Sequence, residues 1–193
     1  MGYIETLRAT NIVHNILKNK VKKGDIAIDA TMGNGHDTLF LINLIGDSGK
    51  IYSFDIQDKS LHNTRQLLLK NDIDATNNNI NLIVDGHENI DKYVKEEIDV
   101  ATFNLGYLPN GDKNIITTSE TTIQAINIIL SLLKKGGIIS IITYYGHAGG
   151  LEEKNAIVQY AQNLEWEKYA VINCSYLNNE ESPLMIIFIE KKQ

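Results

Sequence analysis

The sequence predicts an α/β fold: a mostly parallel, seven-stranded sheet with helices on both faces and an antiparallel hairpin at its C-terminal end. Short apolar runs rich in β-branched residues alternate with helical patterns, which is typical of parallel sheets covered by helices. The last two apolar runs are joined by CSYLNNEESP, which is too short for a crossover helix. These two strands should therefore pair as antiparallel neighbours.

Seven segments have the length and composition of strands: 26–29, 51–55, 80–84, 98–104, 137–143, 167–172 and 184–190. Two of the helices carry start signals, because Asp58 and Ser119 can each cap a helix. The second of these helices is expected to run to Gly136. The leading segment should form an amphipathic helix against the sheet or a partner, with one apolar face made by Leu7, Ile12, Val13, Ile16 and Leu17.

The length and composition fit one globular domain. Residues 1–193 are expected to form a single domain, with 1–23 as its amphipathic leading segment. Hydrophobic residues make up 43% and charged residues 22%, which are ordinary values for a globular protein. The start lacks the pattern of a secretion signal, and no apolar run is long enough to span a membrane, so we expect a cytoplasmic protein. The single Cys174 cannot form an internal disulfide.

The net charge of −6 disfavours a wide nucleic-acid-binding surface, because such a surface needs clustered lysines and arginines. A local basic patch is compatible with this charge. The candidate patch consists of Lys18, Lys20, Lys22 and Lys23, and the alternative interpretation is a solvated helix end.

The first predicted strand leads into a glycine-containing loop, which begins at Asp29 and continues Ala-Thr-Met-Gly-Asn-Gly-His-Asp-Thr. Glycines at 33 and 35 let the backbone approach a ligand closely, and the N–H groups that open the next helix favour an anionic group. Structural glycines at a tight turn would also explain this pattern. The loop alone therefore does not decide between a ligand site and a turn.

The next two strands end in polar residues as well. Asp55 lies twenty residues beyond Gly35, where an acidic side chain can accept hydrogen bonds from both ribose hydroxyls of an adenosine. The third strand ends in Asp85-Gly-His87-Glu88, a polar turn that can meet the adenine edge. Because open α/β folds bind ligands at the carboxyl edge of the sheet, these strand ends predict a nucleoside site.

The fourth and fifth strands add candidate substrate residues at the same edge. The fourth ends in Asn104-Leu-Gly-Tyr107-Leu-Pro, which resembles the Asn-Pro-Pro-Tyr element of amino-group methyltransferases, although Leu105 and Gly106 replace the two prolines. The fifth leads into Tyr-Tyr-Gly-His147-Ala-Gly-Gly, a glycine-rich loop around a histidine. A structural turn and a structural histidine are the alternative interpretations.

Together, DATMGNGHDT, FDIQ, NLGYLP and YYGHAGG resemble a family of small bacterial proteins known as putative rRNA methylases, over nearly all of the chain. Its members are similar to tRNA methyltransferases that convert 5-aminomethyl-2-thiouridine at the wobble position, uridine 34, to the methylaminomethyl form. The resemblance implies a Rossmann-like methyltransferase sheet, S-adenosylmethionine as cofactor and the tRNA anticodon region as partner. The chain departs from the broader methyltransferase pattern at Thr31, which stands where the loop's first glycine usually is.

The resemblance also implies residue roles. It assigns Asn104, Tyr107 and His147 to the substrate side. It assigns to the methyl donor Asp29, Gly33, Asn34, Gly35, Asp37, Asp55, Gln57 and His87. No metal is expected, because the five histidines and one cysteine lack the spacing of metal ligands.

Other functions stay open at this point. The same scaffold can methylate rRNA or small molecules. A nicotinamide-dependent oxidoreductase would share the glycine loop and the acidic residue, but the terminal hairpin and NLGYLP count against it. A non-catalytic module that binds an adenosyl ligand would leave Asn104 and His147 without a purpose. The sequence does not decide the oligomeric state, and a homodimer is one of the states left open.

Overall fold

The computed structural model of the protein describes residues 7–106, 116–146, 149–178 and 183–193. Its strands are β1 (Ile26–Asp29), β2 (Lys50–Asp55), β3 (Ile80–Val84), β4 (Ile98–Leu105), β5 (Leu133–Tyr144), β6 (Tyr169–Cys174) and β7 (Leu184–Lys191). Its α-helices are α1 (Ala9–Lys20), α2 (His36–Ile45), α3 (Asp58–Lys70), α4 (Ile90–Tyr93), α5 (Ser119–Leu132) and α6 (Gly150–Gln162). A 3-10 turn over His87–Asn89 precedes α4.

The strands form one sheet in the order β3-β2-β1-β4-β5-β7-β6. The strands from β1 to β5 pair in parallel, and β7 is antiparallel to both β5 and β6. The predicted mostly parallel sheet with a C-terminal antiparallel hairpin is confirmed. The chain proceeds from β1 toward β3 on one side and from β4 toward β5 on the other, so the sheet has a topological switch point between β1 and β4, where such folds bind ligands.

Two apolar clusters cover the two faces of the sheet. Successive residues of a strand belong to different clusters. In β4, Val100 belongs to one cluster and Ala101 to the other, and in β5 the same holds for Ile138 and Ile139. This alternation follows from the pleat, which turns successive side chains to opposite faces. Both faces are therefore buried, as the continuous apolar runs in the sequence require.

The leading helix α1 packs on one of these faces. Ala9, Val13 and Leu17 are buried in the same cluster as Ile186 and Phe188 of β7. This confirms the helix and its contact with the sheet. Leu7 does not take part, because it precedes the helix and is 54% exposed.

Both predicted helix caps are wrong. Asp58 is the first residue of α3, and Gln57 before it makes no side-chain cap. In α5 the cap is Thr118, whose Oγ1 accepts a hydrogen bond of 3.4 Å from the backbone N–H of Thr121. Gln57 and Thr118, which directly precede the two residues expected to be caps, have the extended backbone of the N-cap position.

Gly136 does not end α5. The helix stops at Leu132, and Gly136 lies inside β5 with a φ of 76°. The pairing of β4 with β5 shifts register between Ile98 and Val100, next to this part of β5. The glycine therefore accommodates an irregular start of the strand, which a helix-termination pattern cannot reveal. No helix in the described parts of the chain has the length and apolar character needed to cross a membrane.

Candidate active site

A cleft of about 560 Å³ opens at the carboxyl edge of the sheet, a volume typical of sites for small molecules and cofactors. Its wall comes from the segments that follow five parallel strands. The residues at the strand ends that line it include Gly33 and Asn34 after β1, Asp55 and Gln57 at and after β2, Gly86 and His87 after β3, Asn104 of β4 and Tyr144 of β5. The cleft therefore lies where the sequence predicted a nucleoside site.

The glycine loop contains two residues with left-handed backbone, Gly33 at a φ of 51° and Gly35 at 84°. Only Gly33 lines the cleft. At Gly35 a Cβ atom would lie 2.7 Å from Oγ1 and 3.0 Å from Cα of Thr64 in α3. Gly35 is thus required for the close packing of the loop on α3, whereas Gly33 brings backbone without a side chain to the cleft wall.

Asp55 joins the end of β2 to the glycine loop. Its Oδ2 accepts a hydrogen bond of 3.0 Å from the Gly33 backbone N–H, and its Oδ1 accepts one of 2.9 Å from the Gln57 backbone N–H. Each carboxylate oxygen has a second lone pair. The half-buried Asp55 therefore keeps two acceptor sites at the cleft wall, which suits a vicinal diol.

Asp29 is fully buried and does not line the cleft. Its carboxylate accepts hydrogen bonds from the Thr31 backbone N–H at 3.2 Å and from the Thr38 hydroxyl at 2.6 Å, and the Thr38 Oγ1 lies 3.0 Å from the Ser53 Oγ. Burial, and next the negative charge of Asp37, raise the pKa of Asp29 to about 7. Asp29 is therefore a buried residue that stabilises the glycine loop through its hydrogen bonds to Thr31 and Thr38.

His87 is buried at the cleft wall. Its Nδ1 lies 3.0 Å from the Ala30 carbonyl oxygen, and its ring packs edge-on against Phe103. Because a carbonyl only accepts, Nδ1 carries a proton and Nε2 is an acceptor when the ring is neutral. Burial lowers the pKa of His87, which favours this neutral form.

Asp37 and Asn104 face each other across the switch point. The Asn104 Nδ2 lies 3.4 Å from the Asp37 Oδ2, and the Asn104 backbone N–H donates to the Thr31 Oγ1 at 2.7 Å. The other oxygen of Asp37 lies 2.7 Å from Nε2 of His14 in α1. Sequence patterns do not predict that α1 supplies a side chain to this site, because the contact joins residues 23 positions apart in different elements.

The predicted site residues that remain are Asn34, Tyr107 and His147. Asn34 lines the cleft, and its Oδ1 accepts a hydrogen bond of 2.9 Å from Asn63 of α3. Tyr144 of β5 also lines the cleft and is 38% exposed, and burial, followed by the charge of Asp37, raises the pKa of its phenol. Tyr107 and His147 lie outside the described residues.

A group of polar residues near the cleft was missed by sequence reasoning. Gly106 donates its backbone N–H to the Thr117 Oγ1 and accepts from the Thr117 backbone N–H, both at 3.2 Å. The buried Glu153 of α6 accepts hydrogen bonds of 2.9 Å from the hydroxyls of Thr117 and Thr122. These contacts tie the end of β4 to α5 and α6. Isolated threonines and one glutamate give no pattern that could have predicted them.

The lysines proposed as a basic patch lie away from the cleft. Lys18 and Lys20 lie in the last turn of α1, and Lys22 and Lys23 lie between α1 and the start of β1. The four lysines are therefore near the amino edge of the sheet, opposite the cleft. Lys20 is paired with Glu190 at 2.7 Å. In the described part of the chain, no group of three or more histidine, cysteine or acidic side chains has the arrangement of a metal site.

Sheet order and cleft position define a class I, Rossmann-like methyltransferase. The chain belongs to the family described as "Putative rRNA methylase", whose model matches residues 51–190. Across 192 residues it is 32% identical to the chloroplastic tRNA (mnm(5)s(2)U34)-methyltransferase of Arabidopsis thaliana, an alignment that covers 96% of this chain and 70% of that protein.

Two solved structures are similar over almost their whole length. A putative rRNA-methylase from Clostridium thermocellum has a TM-score of 0.91 and 40% identity, with 95% of this chain and 97% of that chain covered. A putative methyltransferase from Streptococcus mutans in complex with SAH has a TM-score of 0.85 and 41% identity, with 95% and 98% covered. The protein is an S-adenosylmethionine-dependent methyltransferase.

Proposed function

We propose that this enzyme methylates the primary amine of 5-aminomethyl-2-thiouridine at the wobble position of tRNA, giving the methylaminomethyl nucleoside. The observation that carries the proposal is the similarity, over 96% of the chain, to a methyltransferase named for that nucleoside. Asp37, which the resemblance assigned to the methyl donor, has its carboxylate beside the Asn104 amide at the cleft, and we place this pair on the side of the amine substrate. The proposal takes residues 1–193 as one catalytic domain, and the cytoplasmic location stays a prediction.

The residues at the donor side fit S-adenosylmethionine. Asp55 has two acceptor positions for the ribose hydroxyls, and the left-handed Gly33 has no side chain to obstruct the donor at the cleft wall. Asn34, Gln57 and His87 also line this part of the cleft. Asp29 and Gly35 act indirectly in this assignment, by fixing the loop.

The donor supplies a methyl group already activated on a sulfonium, so the protein mainly has to place the nucleophile. A primary amine that behaves like a lysine side chain, with a reference pKa of about 10.4, is protonated near neutral pH and must first lose a proton. Enclosure in the cleft disfavours the charged amine. Asn104 would then orient it, and His147 would receive the proton, or a tyrosine such as Tyr144, whose raised pKa keeps its phenol protonated, would relay it.

A tRNA partner would approach the carboxyl edge of the sheet, where the cleft opens. An unstacked base is commonly held against an aromatic ring, and Tyr107 and Tyr144 are the candidates. Binding that involves phosphates should weaken as salt is raised. An affinity for tRNA that is unchanged between low and moderate salt would argue against phosphate contacts.

The decisive experiment incubates the protein and isotopically labelled S-adenosylmethionine with tRNA from a strain that lacks this modification. The nucleosides are then identified by mass spectrometry. We expect the label in methylaminomethyl-2-thiouridine and the loss of its aminomethyl precursor. An unchanged precursor pool would reject the proposal.

The family description favours rRNA as a second candidate substrate. The same assay should therefore include ribosomal RNA as a parallel sample. Label in a ribosomal nucleoside, with none in tRNA, would replace the proposed substrate.

A further inference from the structure

Four side chains from three elements form a continuous row of contacts that ends at the cleft. The Phe40 ring of α2 stacks on the His14 ring of α1, with centroids 3.6 Å apart and an interplanar angle of 5°. His14 Nε2 contacts Asp37 Oδ1 at 2.7 Å, and Asp37 Oδ2 contacts Asn104 Nδ2 at 3.4 Å. Of the four, Asp37 and Asn104 line the cleft.

The acceptor-only chemistry of a carboxylate fixes the atoms in this row. An ionised aspartate has no hydrogen to donate, so both groups that face it must be donors. His14 therefore carries a proton on Nε2, and the amide atom of Asn104 nearest Asp37 is its nitrogen. With Nδ2 turned toward Asp37, Oδ1 is the acceptor that the amide can offer to a substrate N–H.

We propose that His14 is a positioning residue: through Asp37 it fixes the orientation of the Asn104 amide, so that Oδ1 accepts a hydrogen bond from the amine to be methylated. This inference rests on the proposed N-methyltransferase function and adds a residue outside the predicted site. It also gives the leading helix a part in the reaction besides covering the sheet.

The surroundings of His14 support this role. Buried residues on the same helix, Val13 and Leu17, hold α1 against the sheet, and the stacked Phe40 limits rotation of the imidazole. The side chains of His14 and Asp37 are 23% and 17% exposed, so the pair is largely shielded from water. At 3.4 Å the contact with Asn104 is long, as catalytic hydrogen bonds often are before substrate binds.

The chain offers matched variants for a test. His14→Leu removes the donor and keeps apolar packing on Phe40, whereas His14→Gln retains an N–H donor at a similar distance from the backbone. Asn15→Ala changes the neighbouring exposed residue of α1 and serves as the control. For each variant, kcat on aminomethyl-containing tRNA, donor affinity by calorimetry and the melting temperature are measured.

We expect His14→Leu to lower kcat by about 10- to 100-fold, because a misplaced nucleophile of this kind costs rate rather than donor binding. Donor affinity should stay within about twofold, His14→Gln should recover most of the loss, and Asn15→Ala should match the wild type. Wild-type kcat in His14→Leu would overturn the inference, and so would an equal loss in His14→Gln.

A second measurement needs no RNA. The ¹⁵N spectrum of histidine-labelled protein reports the tautomer of His14, and we expect the Nε2–H form, with a signal that changes in Asp37→Asn. A His14 signal of the Nδ1–H form would overturn the inference. Failure of the proposed function is distinct, because it would appear as wild-type enzyme that leaves the aminomethyl nucleoside unmodified.

Discussion

The backbone N–H of Gly33 donates a 3.0 Å hydrogen bond to Oδ2 of Asp55, so the loop after β1 is attached to the end of β2. The second carboxylate oxygen is engaged in the same way by the Gln57 N–H at 2.9 Å. The carboxylate proposed to bind the ribose is therefore also the group that shapes the glycine loop. A substitution of Asp55 should therefore affect both ribose binding and the conformation of the glycine loop.

Asp55→Asn is expected to weaken S-adenosylmethionine binding by about 10- to 100-fold. Both oxygens of Asp55 accept backbone N–H groups, so the NH₂ of an asparagine must face one of those donors, and the negative charge is lost. Calorimetry measures the affinity, with the exposed Asp58→Asn on α3 as control. Equal affinity in Asp55→Asn and the wild type would contradict the assignment.

Asn104→Ala should reduce turnover by roughly 100-fold while donor binding stays intact, because the amide is proposed to orient the amine and not the adenosyl group. The comparison is made at saturating donor. Asn43→Ala, at an exposed position of α2, is the control for loss of an amide. Near wild-type turnover of Asn104→Ala would remove this residue from catalysis.

Gly35→Ala and Gly136→Ala separate packing from backbone strain. Both glycines have left-handed backbone, with φ of 84° and 76°. A Cβ at Gly35 would lie 2.7 Å from Oγ1 of Thr64, whereas at Gly136 nothing lies within 4 Å. We expect Gly136→Ala to lower the free energy of unfolding by about 1–2 kcal/mol, and Gly35→Ala to lower it by a further 1–3 kcal/mol, approximately, from overpacking.

Urea denaturation of the two glycine variants measures this difference. Equal losses of stability would mean that the loop moves away from α3 at little cost. That result would contradict the requirement for glycine at position 35 on packing grounds.

Asp29→Asn should change the pH dependence of stability. The native state raises the pKa of Asp29 from 3.8 to about 7, so it holds this proton more tightly than the unfolded chain does. The wild type therefore loses stability from this group as pH rises from about 4 to 7, and the loss is complete above that range. Asparagine cannot ionise, and the Thr38 Oγ1 can accept its NH₂ if the Thr38 hydroxyl donates to the Ser53 Oγ instead.

Stability measured by urea unfolding between pH 5 and pH 8 checks this. Relative to the wild type, Asp29→Asn should gain stability with rising pH, each pKa unit corresponding to about 1.4 kcal/mol. A difference between the two proteins that does not vary with pH would show that Asp29 does not titrate in this range.

Most of the fold could be predicted because it depends on local patterns. Apolar runs between helical segments placed all seven strands, and the short connection before residue 184 required the antiparallel pair. The helix caps and the end of α5 were wrong. Each depends on the backbone angle of one residue, as at Thr118 and Gly136, and composition does not determine that angle.

The site was predictable where a residue lies at, or a few positions beyond, the carboxyl end of a parallel strand. Asp55 and Asn104 line the cleft because parallel strands bring their carboxyl ends to one edge. Contacts between elements were not predictable. Asp29 lies beneath the cleft although it belongs to the same motif as Gly33, and His14 reaches Asp37 only because α1 packs on the sheet.

The position of β7 between β5 and β6 bears on how the protein is made. This strand, the last along the described chain, occupies an interior place in the sheet and bonds to β5 on one side and β6 on the other. Along the chain, both β5 and β6 precede the strand that joins them. Until residues through Lys191 are in place, β7 cannot cover the facing edges of β5 and β6, and such unpaired edges are prone to associate with other chains.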